Sequence, residues 1–143
     1  MMIRYYVENP VLAQWIQLPP PPRCTFPYPD HYTDSGLVTR MHNGALLGYK
    51  VVWMNSKPRI NLPVFFSREW RFEVFSSNTG EWSVAQVSCP GRGICMLYTS
   101  NPVSLNGKLH WLDYSRRIIV HDFFSSCGDQ VRALPLPSRM QGS

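Results

Sequence analysis

Residues 72–83 read Phe-Glu-Val-Phe-Ser-Ser-Asn-Thr-Gly-Glu-Trp-Ser. Phe72-Glu73-Val74 favours an extended chain, Asn78-Thr79-Gly80 favours a reversal, and Trp82 opens a second extended run. Asn and Gly tolerate the backbone angles of a tight turn, while alternating apolar residues give each strand one buried face. The segment therefore predicts a β-hairpin. The same order of features occurs near the start, as Tyr5-Tyr6-Val7, Asn9-Pro10, Trp15 and Leu18-Pro19. Val7 to Trp15 and Val74 to Trp82 are both eight residues apart. A degenerate third copy runs through Ile118-Ile119-Val120-His121-Asp122, Cys127-Gly128-Asp129 and Val131 to Leu136. It lacks the Trp but ends in Leu134-Pro135, as the first ends in Leu18-Pro19.

Further hairpins lie between these copies. Asn106-Gly107 separates Val103-Ser104-Leu105 from Lys108-Leu109-His110-Trp111, and Asn43-Gly44 separates Leu37–Met41 from Leu46–Met54. Asn-Gly is the strongest short hairpin signal, because both central positions of a type I′ turn need positive φ. Repeated hairpins predict stacked or radial sheets, with propeller blades of about 40–50 residues as one solution. The second and third copies start 46 residues apart, which matches a blade. The first and second start 67 apart, so an insertion is required, either Pro19–Asp30 or Asn55–Glu69. The fold class expected is all-β, an incomplete β-propeller-like array of antiparallel hairpins or blades forming one truncated domain over residues 1–143. Aromatic residues at 13% and thirteen prolines agree with strands and turns rather than helices.

Charge and composition exclude several partner classes. The net charge of +5 comes from scattered basic residues, the densest pair being Arg116-Arg117, so no nucleic-acid stripe is expected. No apolar run approaches the roughly 18 residues of a membrane span, and residues 1–12 carry no secretory core. Cytoplasmic or nuclear residence is the expectation. In such a compartment the four cysteines, Cys24, Cys89, Cys95 and Cys127, are expected to be reduced.

No residue is assigned to catalysis or to a metal, none to a partner surface, and no cofactor is expected. Trp15, Trp82 and Trp111 recur at hairpin positions and read as sheet core rather than a binding platform; Trp53 and Trp70 are left undetermined. His31, His42, His110 and His121 have no second ligand at metal spacing, and the Cys89–Cys95 spacing is too loose for a zinc knuckle. Gly91-Arg92-Gly93 lacks the third glycine and following helix of a phosphate loop and reads as a turn. Arg116-Arg117, after Asp113-Tyr114-Ser115, read as a solvated hairpin tip rather than a contact for an acidic partner. Pro19–Pro22 read as a stiff connector rather than a ligand for a proline-binding domain.

Five phrases together resemble one family. YYVENPVLAQWIQLPPPP (Tyr5–Pro22), GYKVVWM (Gly48–Met54), FEVFSSNTGEWS (Phe72–Ser83), SLNGKLHWL (Ser104–Leu112), and IIVHDF (Ile118–Phe123) with ALPLP (Ala133–Pro137) resemble, in order, the associated region of plant F-box proteins. The first departs at Val11-Leu12-Ala13, where the family usually has a small polar turn residue. The resemblance implies a kelch-like propeller that selects a protein substrate for a cullin ubiquitin ligase, by binding and without chemistry. No F-box segment is read in the sequence, so adaptor binding is not expected. The alternatives are a truncated, non-functional fragment or decoy and, by fold analogy alone, a hydrolase on a β scaffold.

Overall fold

The computed structural model describes residues 5–9, 11, 13–20, 34–54, 68–89, 91, 93, 102–113, 116–125 and 131–136, and among these described residues ten strands form. The chain divides into two compact units, 1–30 and 31–143. Among its described residues the first holds one hairpin, β1 (Tyr5–Asn9) paired antiparallel with β2 (Gln14–Leu18). Leu18 is buried, whereas Trp15 is 63% exposed.

The second unit holds two four-stranded antiparallel meanders, each in chain order. One is β3 (Asp34–His42), β4 (Ala45–Met54), β5 (Glu69–Ser76) and β6 (Glu81–Ser88). The other is β7 (Val103–Leu105), β8 (Lys108–Leu112), β9 (Arg117–His121) and β10 (Arg132–Pro135). In each, an Asn-Gly hairpin supplies the first two strands. Asn43 and Gly44 have φ of 50° and 76°, and Asn106 and Gly107 have 52° and 73°. These are the angles a type I′ turn demands, and they match the right-handed twist of the strands it joins.

The repeated phrase supplies the last two strands. In copy two, Trp82 lies opposite Phe75, and in copy one Trp15 lies opposite Glu8. The register is the same, each loop has four residues, and each loop ends in a left-handed residue, Ala13 (φ 48°) or Gly80 (φ 71°). The third copy pairs Ile118 with Leu134 and Ile119 with Ala133. The second and third copies are each half of a four-stranded sheet whose other half is the Asn-Gly hairpin before it, whereas the first copy is a two-stranded sheet. Of the expected insertions, residues 21–30 and 55–67 lie outside the described residues.

The two meanders pack face to face. Strict alternation turns Leu109 and Trp111 of β8 inward and Lys108 and Leu112 outward. Val38, Val52, Phe72, Val74 and Val87 of the first sheet meet Leu109, Trp111 and Ile119 of the second in a single core, with Phe123 and Val131 closing it. Phe72 presents its ring edge-to-face to Trp111 at 6.1 Å and to Phe123 at 5.5 Å. Such pairs add about 0.5–1.5 kcal/mol beyond the area they bury. Polar contacts tie the same seam: Val131 N–H donates to Ser88 O at 3.0 Å, and Lys50 Nζ donates to Phe123 O at 2.8 Å.

The tightest approach is at Gly36 of β3. A Cβ placed there would stand 2.6 and 2.8 Å from the methyl carbons of Leu109, which is fully buried. Gly36→Ala is expected to cost about 1–3 kcal/mol by overpacking, and Leu109→Ala about 2–5 kcal/mol by cavity formation. The double variant should cost less than the two together, since truncating Leu109 makes room for the new methyl. Urea unfolding of all four proteins measures this coupling; additive costs would show that the sheets do not meet at this point.

Candidate functional site

The seam between the meanders opens at one end into a cleft of about 690 Å³. Thr39, Arg40 and Met41 of β3 form one wall. Three consecutive residues can line it because β3 is the edge strand of its sheet, and side chains on both faces reach along a free edge. The Asn106-Gly107 turn forms a second wall, and Asp122, Phe124 and Ser125 after β9 form the third.

Each wall is set by a local constraint. A Cβ on Gly107 would lie 3.3 Å from the Thr39 carbonyl oxygen, so the β7–β8 turn approaches β3 as closely as a glycine permits. Asp122 Oδ1 accepts the Phe124 N–H at 2.9 Å, an Asx turn that swings the chain out of β9. Lys50 passes beneath this wall, its Nζ 5.0 Å from the Phe124 ring centroid while bonded to Phe123 O. Beside Arg40 the β3–β4 register shifts: Arg40 lies opposite Gly48 and Met41 opposite Leu46, leaving Leu47 as a bulged residue. Bulges of this kind re-aim side chains beside sites.

The residues singled out by sequence scatter instead of converging. His110 and His121 sit on neighbouring strands, but His121 lies opposite Leu109, so alternation puts His110 on the other face of the sheet. His121 is buried with its ring 4.6 Å from Phe123; His42 is exposed beside Asn43; His31 lies outside the described residues. Cys89 is a core residue, while Cys24, Cys95 and Cys127 lie outside the described residues. No three His, Cys, Asp or Glu side chains gather as a metal site among the described residues. Trp111 is core as expected and Trp82 is partly buried, but Trp15 is exposed and does not fill a sheet core. Trp53 is buried and Trp70 packs against the core. Gly91 and Gly93 both take positive φ, 64° and 89°, in keeping with a turn. Pro19 and Pro20 are exposed and outside any strand, and Pro21 and Pro22 lie outside the described residues.

The solvated-tip reading of Arg116-Arg117 is corrected for Arg117. Asp113 has no exposed side-chain surface, and Arg117 grips it through backbone N–H (3.0 Å), Nε (3.2 Å) and Nη2 (2.6 Å). Arg117 Nη2 also donates to Gly93 O at 2.8 Å, tying the β8–β9 turn to the segment after β6. Arg116 takes φ 59° and is exposed. The i, i+4 spacing of Asp113 and Arg117 across a reversal was the sequence signal for this pair.

A family model described as F-box protein At3g26010-like, beta-propeller, matches residues 2–142. The chain belongs to this F-box β-propeller family. Curated relatives from Arabidopsis thaliana include F-box protein At1g49990 (34% identical over 92% of this chain), F-box protein At3g28330 (35% over 93%) and F-box protein At3g26010 (33% over 92%). The matched regions make up 33%, 30% and 30% of those proteins, so this chain spans about a third of their length. No solved structure matches. The two four-stranded meanders, side by side with like strands in like order, are two blades of the propeller that the family description names, and the cleft lies where the blades meet.

The adjacent arginines of this propeller separate by substitution. Arg117→Ala removes the guanidinium from the buried Asp113 carboxylate, leaving it the backbone N–H of residue 117 but no charge partner at Oδ2 from that side chain, and should cost about 3–5 kcal/mol, whereas Arg116→Ala should stay within about 0.5 kcal/mol of wild type. Chemical denaturation of the two variants distinguishes them, and equal losses would mean that the buried ion pair does not stabilise the turn.

Proposed function

We propose that this chain is the substrate-recognising part of a plant F-box protein, presenting a protein substrate to a cullin-based ubiquitin ligase. The observation that carries the reading is the match of residues 2–142 to the F-box protein propeller family. The mechanism is recruitment, not catalysis: rigid sheets hold short connections at one end, and the partner binds across them. The inter-blade cleft is the surface best suited to this, because its walls are held by tight turns and by the packed seam. A site that needs no rearrangement to bind loses less entropy on association. Residence in the cytosol or nucleus goes with this role.

The test is affinity capture from plant extract with the tagged chain, competed by untagged chain. A substrate receptor should retain a saturable, competable partner. That partner should become ubiquitinated in a reconstituted cullin ligase when the chain is joined to an F-box segment. Recovery of chaperones alone, or a partner that the reconstituted ligase leaves unmodified, would contradict the reading.

A further inference from the structure

The cleft joins chemical features that together select a kind of ligand. Alternation puts Arg40 on the same face of β3 as the core residue Val38, so its stem starts at the seam while the residue as a whole stays exposed. Among the described residues the Arg40 side chain makes no hydrogen bond or ion pair, its backbone being paired with β4. A guanidinium carries its donors in a fixed fork that fits a carboxylate in two-point contact. Among the described residues that line the cleft, the acidic one is Asp122, which already directs Oδ1 at the Phe124 N–H. Lys50 beneath Phe124 and exposed Lys108 beside the Asn106-Gly107 turn add positive charge, so the described residues of the cleft and its margin are cationic in sum. Met41 and Phe124 add apolar surface beside Arg40, with Met41 more than half exposed.

Shape supplies the remaining constraint. The cleft follows the edge of β3 over three successive residues, which suits an extended segment lying along a strand. Building on the reading of the chain as a recognition domain, we infer that the inter-blade cleft binds an extended acidic peptide segment, with a Glu or Asp carboxylate on Arg40 and a neighbouring apolar side chain between Met41 and Phe124. Asn106, exposed on the turn with its side-chain amide uncommitted, is placed to hydrogen-bond the peptide backbone.

The experiment is selection from a randomised linear peptide library displayed on phage, run in parallel on the full chain and on its Arg40→Glu variant, with circular dichroism to show that the variant keeps its fold. The wild type should enrich an acidic residue next to an apolar one. A synthetic peptide of that sequence should lose about tenfold or more in affinity when its acid is replaced by the amide. Arg40→Glu should lose the acidic preference and enrich Lys or Arg at the same position. Arg40→Gln, a milder change, should weaken the acidic peptide without creating a basic preference. Selection of no peptides, of peptides without acidic enrichment, or of the same peptides by both proteins would overturn the inference. The capture and ubiquitination test is independent of these outcomes: a partner can be recruited and modified while the cleft selects nothing, and the cleft can select acidic peptides while no partner is ubiquitinated.

Discussion

The edge-to-face packing of Phe72 between Trp111 and Phe123 is the interaction on which the second unit depends. An isolated antiparallel meander has two faces and can bury at most one of them on its own turns, so a four-stranded sheet of this size needs a neighbour. Phe72, 1% exposed, fills the space between the sheets at the level of β5, β8 and the turn after β9. Gly36 lets Leu109 approach β3 on one side of it, and the Val131–Ser88 hydrogen bond joins the outer strands on the other. The seam is thus held at the inner edge, the middle and the outer edge of both sheets.

That arrangement explains where the cleft falls. The sheets touch along Gly36, Val38 and Leu109, and the cleft begins where β3 continues through Thr39, Arg40 and Met41 towards its turn. There the Asn106-Gly107 turn and the Asx turn at Asp122 form its other walls. The cleft therefore lies at the margin of a packed seam, with walls anchored to the strands that form it. Asp113 and Arg117 fix the opposite end of β8 and β9, which keeps both strands in register on the core side.

Most of the fold is legible in the sequence because its signals are local. Asn43-Gly44 and Asn106-Gly107 specify two-residue turns, and the alternation in Lys108–Leu112 fixes which side chains face inward. The Val74-to-Trp82 spacing is legible as a repeat for the same reason, since a hairpin of fixed loop length repeats its register. The grouping of hairpins into four-stranded sheets was not legible. It depends on pairing between β4 and β5 across residues 55–67, a non-local event that no short phrase encodes. The fate of Trp15 was equally hidden, because its spacing matches that of Trp82 while its burial depends on what surrounds each hairpin. The cleft was the least legible feature: Arg40, Asn106 and Phe124 come from three separate strands and turns, and each alone reads as an ordinary surface residue. Arg117 could have been found, because its partner lies four residues away across a turn, but the buried state of Asp113 is tertiary information.

The central claim is that residues 34–88 and 103–135 pack as adjacent blades through one aromatic seam, which fixes the recognition cleft. Nuclear Overhauser contacts between the Phe72 ring and the rings of Trp111 and Phe123 in the folded chain test it most directly. The account predicts strong cross-peaks from Phe72 to both rings, together with contacts between the Gly36 Hα protons and the Leu109 methyls. Rings that show contacts only within their own sheets would contradict it, because the seam, and with it the cleft, would then be absent.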